Sequence, residues 1–162
     1  MKTLLKKRNQ RGFTLIELLV VIGILGVLAA LLLATLDPLE QIKKGQDTQS
    51  REVAAEYISA NTRYYGNTGT VPCTYTTGAQ LLTAVTGTCI SALVTGGELK
   101  STFGSQATVL GTVSISQQTG ASLVACFKPQ SKAVVSDPNT KYTNIGAATC
   151  TVGSGTCYYC LQ

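Results

Sequence analysis

Residues 11–20 read RGFTLIELLV, and the apolar run that opens there continues to Leu36. Between Phe13 and Leu36 the only charge is Glu17. As a helix this run spans roughly 36 Å at about 1.5 Å per residue, enough to cross a hydrocarbon layer of about 30 Å. It exceeds the apolar core of an ordinary secretory signal peptide, about 7–15 residues, and is therefore expected to stay with the chain. Gly23 and Gly26 are its only helix-weakening residues, and glycine is common where membrane helices pack together.

Charge is placed unevenly around the run. Of the 13 Lys and Arg in the 162-residue chain, Lys2, Lys6, Lys7, Arg8 and Arg11 precede it, and the others are balanced by the 8 acidic residues. The formal charge of +5 thus belongs to the N-terminal tip. By the positive-inside tendency the N-terminus stays cytoplasmic and residues 37–162 are exported. No basic stripe with interleaved aromatics follows, so nucleic acid is not indicated as a partner. The chain has no histidine, which removes histidine-based acid/base catalysis, nucleophile pairs and metal ligation. Neither phosphate-binding glycine motif follows a strand-like run. No enzyme, metal or cofactor is expected.

Beyond the run, Asp37-Pro38 leads into LEQIKKGQDTQSREVAAEYISANTR, which is rich in helix formers. Val53, Tyr57, Ala60 and Tyr64 recur at helical spacing, with Ala54 and Ile58 beside them. A proline in that setting is expected to kink a helix rather than stop it. This predicts one long, bent helix over about 14–64. Its membrane half covers 13–36 and its amphipathic half covers 37–65.

After Tyr65 the texture turns to short runs of Thr, Gly, Ser and Val. Helical pieces are expected at Ala79–Val85 and Ile90–Val94, and strands at Thr108–Gln117, Ser122–Lys128 and Lys132–Ser136. The fold class is α+β: a long helix covering one face of a small antiparallel sheet, with 66–162 as a β-rich head. So small a core often needs covalent staples. Cys73, Cys89, Cys126, Cys150, Cys157 and Cys160 all lie on the exported side, where an even count favours disulfides. Cys73 with Cys89 is the preferred local pair, Cys150 with Cys157 bridges a glycine-rich turn, and Cys126 with Cys160 is the remaining combination. Sequence does not choose among the connectivities. Cys157-Tyr-Tyr-Cys160 is a C-x-x-C, but no second one completes a zinc ribbon, and no helix follows it as in a redox site. Tyr158 and Tyr159 are read as packing residues.

A basic leader ending in Gly12, then Phe13-Thr14-Leu15-Ile16-Glu17 and an apolar helix, resembles the prepilin-type cleavage and methylation signal of type IV pilins and pseudopilins. The motif-level match covers about residues 6–37. The resemblance implies removal of residues 1–12 by a prepilin peptidase, which cuts between Gly12 and Phe13 and methylates the new amino terminus of Phe13. It further implies single-pass residence in the cytoplasmic membrane and passage, through an inner-membrane assembly platform, into an extracellular filament of this and other pilins. Many family members carry a proline near the middle of the apolar helix; here Ala34 stands at the matching place.

Glu17 then gains a purpose. A carboxylate in a membrane helix is costly, but within one straight helix it can reach the amine of its own Phe13, four residues back, or in a stagger of parallel helices it can instead meet that of a neighbour, which fixes axial register. Three functions are consistent with these features: a pilus subunit, a pseudopilin of a type II secretion system or competence pilus, and a single-pass anchor carrying a ligand-binding or enzymatic head.

Overall fold

Pro38 is where the long helical region divides. The computed structural model describes residues 12–35, 37–75, 78–118 and 122–162. They fall into two compact units, Met1–Pro38 and Leu39–Gln162. Helix α1 spans Leu15–Thr35 and helix α2 spans Pro38–Thr68. The helical stretch expected over 14–64 therefore occurs as two segments. Proline disfavours helical geometry in the residue before it, and its missing N–H costs nothing at the first position of a helix. α1 runs unbroken through Gly23, Gly26 and Ala34. It buries none of its side chains.

The second unit is built on α2. Strands β1 (Gln80–Leu81), β2 (Val113–Gln117), β3 (Leu123–Phe127) and β4 (Tyr159–Leu161) form one antiparallel sheet in that order. Short helical turns fill the connections: a 3-10 turn at Leu82–Val85, a wider π turn at Thr86–Ile90, then α3 (Ser91–Thr95), α4 (Ala107–Leu110) and α5 (Lys132–Val135). The pairs Val113↔Phe127, Ile115↔Ala125 and Gln117↔Leu123 place one set of side chains on the face toward α2. There Val113, Ile115, Leu123, Ala125 and Phe127 share a core with Val53, Ala54, Tyr57 and Ala60 of the helix. This is the stripe expected from the sequence, with Tyr64 and Ile58 at its partly buried margin.

Polar residues on the same helical face do as much as the apolar ones. Asp47 is buried and accepts hydrogen bonds from the backbone N–H groups of Gln130 and Ser131, both 2.8 Å, and from the Ser131 hydroxyl at 2.6 Å. Glu40, also buried, accepts from the N–H of Lys132. The Ser50 and Thr112 hydroxyls bond at 2.9 Å. Further along, the Tyr75 hydroxyl donates to Asn61 Oδ1 and is bonded by the Tyr57 hydroxyl at 3.0 Å, while the Asn61 amide donates to the Tyr57 carbonyl at 2.9 Å. Arg63 pairs with Glu98 at 2.8 Å and also donates to its carbonyl. At the end of α2, Gly69 takes a positive φ of 71° and its N–H closes on the Tyr65 carbonyl at 2.8 Å, a conformation that glycine adopts without strain.

Two of the expected strands are different in the structure. Thr108–Gln117 is strand only from Val113, because α4 occupies Ala107–Leu110. Lys132–Ser136 is not a strand: α5 forms there, its N-terminus capped by the Ser131 side chain, which accepts from the Val134 N–H. The first N–H groups of this turn are held by Asp47 and Glu40 of α2, so helical geometry wins over the β-branched pair Val134-Val135. Ala79–Val85 splits between β1 and the 3-10 turn, and Ile90–Val94 falls largely within α3.

The opposite face of the sheet is covered by the C-terminal segment. Cys126 and Cys160 lie directly across β3 and β4 and form a disulfide; Cys73–Cys89 and Cys150–Cys157 form the others. Ser114 donates to the Asn144 carbonyl and Ser116 to the Ile145 carbonyl. Gly146, with φ of 86°, lies so close to the sheet that a Cβ would stand 2.8 Å from Val124 Cγ1.

Two stability predictions follow from this packing. Asp47→Ala leaves three donors near Gln130 and Ser131 without their acceptor, and should lower the unfolding free energy by about 3 kcal/mol, read as a lower urea midpoint with unchanged slope. The second concerns alkaline pH. Burial pushes the Tyr57 phenol up to about 12 from its ordinary 10, and burial pushes Tyr75 up as well. The unfolded chain therefore loses these protons first, so their contribution is intact below about pH 10 and falls by about 1.4 kcal/mol per unit and per phenol as pH rises further. Urea midpoints from pH 8 to 11 should show this decline, and the double variant Tyr57→Phe, Tyr75→Phe should flatten it.

Candidate functional site

The described chain begins at Gly12 and Phe13, which lie in exposed coil immediately before α1, Phe13 at 83% exposure. The peptide bond between them thus sits outside regular structure. Lys2, Lys6, Lys7, Arg8 and Arg11 fall outside the described residues.

Thr14 and Glu17 form a reciprocal pair at the start of the helix. Glu17 Oε2 accepts from the Thr14 backbone N–H at 2.9 Å and from its hydroxyl at 2.8 Å. In return, the Thr14 hydroxyl oxygen lies 3.3 Å from the Glu17 N–H, which donates to it. This is a capping box, in which T-x-x-E satisfies N–H groups that a helix start leaves open. A carboxylate in the first turn also faces the positive end of the helix dipole. Both bonds use Oε2, leaving Oε1 without a hydrogen bond among the described residues. The T-x-x-E spacing of Thr14-Leu15-Ile16-Glu17 is the sequence signal for this capping role.

From Leu15 onward the helix exposes large apolar side chains on every side, among them Ile16, Leu19, Val20, Ile24, Leu28 and Leu32. A helix apolar all round needs an apolar environment around its whole circumference. With 21 residues α1 is long and apolar enough to cross a membrane, which makes it a candidate membrane anchor.

This arrangement of exposed glycine, capped helix start and uniformly apolar helix can be set against known proteins. Residues 7–33 carry the prokaryotic N-terminal methylation motif. The motif spans Gly12, Phe13, Thr14 and Glu17 together. The chain is also 36% identical over 66 residues to the fimbrial protein EcpC of Eikenella corrodens. That alignment covers 41% of this chain and 42% of the relative, so the chain matches less than half of the relative's length. Both findings are consistent with the type IV pilin family. No solved structure matches the chain.

The other singled-out residues lie in the second unit. The six cysteines are all in disulfides, and among the described residues no cluster of acidic or cysteine side chains could hold a metal ion. Tyr159 packs on Phe127 with ring centroids 5.4 Å apart and lies under the Arg51 guanidinium at 4.9 Å. Tyr158 is half-buried and bridges to Tyr142 through the backbone.

The capping box is testable apart from any assembly. Thr14→Ala removes both side-chain bonds and should speed amide hydrogen exchange at Leu15–Leu18 in detergent micelles, while amides beyond Ile24 keep their protection. Uniform protection along α1 in that variant would show that the box contributes nothing to the helix start.

Proposed function

We propose that this chain is a structural subunit of a type IV pilus-like filament, made as a prepilin. In this reading residues 1–12 are a leader, 13–36 the membrane and filament-core helix, 37–65 the amphipathic helix and 66–162 the head. A prepilin peptidase cleaves between Gly12 and Phe13 on the cytoplasmic face and methylates the Phe13 amine. The subunit then waits in the inner membrane as a single-pass protein and passes through an assembly platform into an extracellular filament with copies of itself and other pilins. Its task is architectural and needs no catalytic residue or cofactor.

The observation that carries this reading is α1: a helix of 21 residues with none buried, joined to a methylation motif at its start. Lipid covers such a helix before assembly. In a filament, parallel copies of the same helix cover it. The relative named a fimbrial protein supports the same direction. The three disulfides suit a small domain exported from the cytoplasm, whether it stands in the periplasm or outside the cell.

Glu17 has two tasks here. Its Oε2 caps its own helix, while Oε1 is available to the amine of a neighbouring Phe13. A neighbour displaced along the axis would leave both charges unpaired in an apolar bundle, so the pair selects one register.

Mass spectrometry of the filament subunit should find N-methylated Phe13 as the first residue. An intact Met1 would instead favour a simple membrane anchor. Glu17→Leu should be cleaved nearly normally yet yield few filaments, measured as subunit in sheared surface fractions against subunit in membranes. Normal filament yield from that variant would refute the register role.

A further inference from the structure

A groove of about 550 Å³ opens along the face of the sheet that carries Ser114, flanked by Leu81, Lys128, Gln130, Asn144 and Tyr158. The volume lies in the range of small-molecule sites, about 300–1,000 Å³. Nothing in the proposed filament role uses it.

Its walls combine fixed backbone with unengaged side chains. The Gln130 N–H is held by Asp47, the Asn144 carbonyl accepts from Ser114, and Tyr158 is bridged to Tyr142. The side-chain amides of Gln130 and Asn144 and the Tyr158 hydroxyl have no hydrogen-bond partner among the described residues. Lys128 is exposed and has no ion pair among the described residues. No acidic residue lines the groove. The backbone that carries these groups is ordered before any ligand binds, so only side-chain rotamer freedom is given up on binding.

The chemistry of this lining restricts the ligand. Continuing the pairing Phe127↔Tyr159 by one residue sets Lys128 across from Tyr158, and both line the groove, so one cation and one phenol are offered at this end. Leu81, about half exposed, adds an apolar patch. Two amides and a phenol offer donors and acceptors suited to hydroxyl groups. A phosphate monoester calls for a guanidinium fork or a nest of N–H groups, and a polynucleotide calls for repeated cations; the groove has a single lysine. We propose that this groove binds a carboxylate-bearing sugar residue. Lys128 takes the carboxylate, Gln130 and Asn144 take ring hydroxyls, and Tyr158 covers the C–H face of the ring. Tyr158 is thus a contact residue as well as a packing residue.

The test uses the full chain in detergent micelles, titrated with digalacturonic acid, neutral digalactose and inorganic phosphate, and followed by amide NMR and calorimetry. Digalacturonic acid should shift the amides of residues 128, 130, 144 and 158. Lys128→Gln should weaken it by about tenfold or more, the loss expected for a charge-assisted hydrogen bond, and Asn144→Ala should weaken it several-fold. Both variants change exposed side chains, and unchanged thermal midpoints verify their folding. Absence of these shifts would overturn the proposal, as would an equal response to digalactose or binding unchanged in Lys128→Gln. Phosphate binding as tightly at the same amides would replace the sugar by a simple anion and overturn it as well. So would self-association lost in Lys128→Gln without any sugar binding, which would assign the groove to an acidic segment of another copy. None of these outcomes touches the N-terminal processing or Glu17 tests, so the two readings fail separately.

Discussion

Asp47 of α2 meets the loop that leaves β3, and its two oxygens tie the helix to that loop. One oxygen takes the Gln130 N–H and the other takes the N–H and hydroxyl of Ser131. Seven residues earlier, Glu40 reaches the next N–H of the same turn. A purely apolar helix face is able to slide over a sheet with modest change in buried area. A face with carboxylates at two fixed positions is not, because a shift of one turn leaves a buried charge without its donors. The apolar residues Val53, Ala54, Tyr57 and Ala60 therefore supply the driving force for docking, while Asp47, Glu40, Ser50 and Asn61 determine where along the helix it occurs.

The same polar anchoring explains which parts of the fold were legible. The stripe through Val53, Tyr57 and Ala60 has helical spacing and lies where that spacing puts it. Strand β3 is an uninterrupted apolar run bounded by turn residues, and its limits, Leu123–Phe127, fall inside the expected 122–128. Lys132-Ala-Val-Val-Ser136 misled because Val134-Val135 favours a strand locally, whereas the decisive partners of its backbone, Asp47 and Glu40, are more than 80 residues away in sequence. Those two carboxylates look like ordinary solvated residues until the loop that covers them is in place. Strand β4 is three residues long and depends on the Cys126–Cys160 pairing across β3, a relation that no local pattern encodes. The short-range disulfides are different, since Cys150 and Cys157 are seven residues apart around glycine-bearing turns.

The head is thin, and its second sheet face is closed by irregular chain rather than by another sheet or helix. Ser114 and Ser116 bond to carbonyls of 144 and 145, and Gly146 lies against Val124. Irregular chain carries backbone polar groups that a buried face must satisfy. The serines meet that demand at alternate positions of β2, on the side where an ordinary β-branched residue would leave the carbonyls unpaired. Covalent closure then limits this region: Cys126–Cys160 staples β3 to β4, the strand into which the cover leads, and Cys150–Cys157 tightens the cover's own loop. The groove beside Tyr158 exists because this cover is incomplete at the Lys128 end.

α1 and α2 solve opposite problems with the same backbone geometry. α2 hides one face within its own chain and exposes the other, so it is complete in a monomer. α1 hides nothing, and each of its large side chains stays exposed. Its apolar circumference has no front or back and thus gives a neighbour little reason to prefer one axial position. Directional information has to come from a polar group, and Glu17 is the only charged residue in the helix. Capping through Oε2 keeps that carboxylate at the helix start and limits the directions in which Oε1 faces. In the proposed filament, a charge held by its own helix would mark register better than a free one, because its position is set before any neighbour arrives.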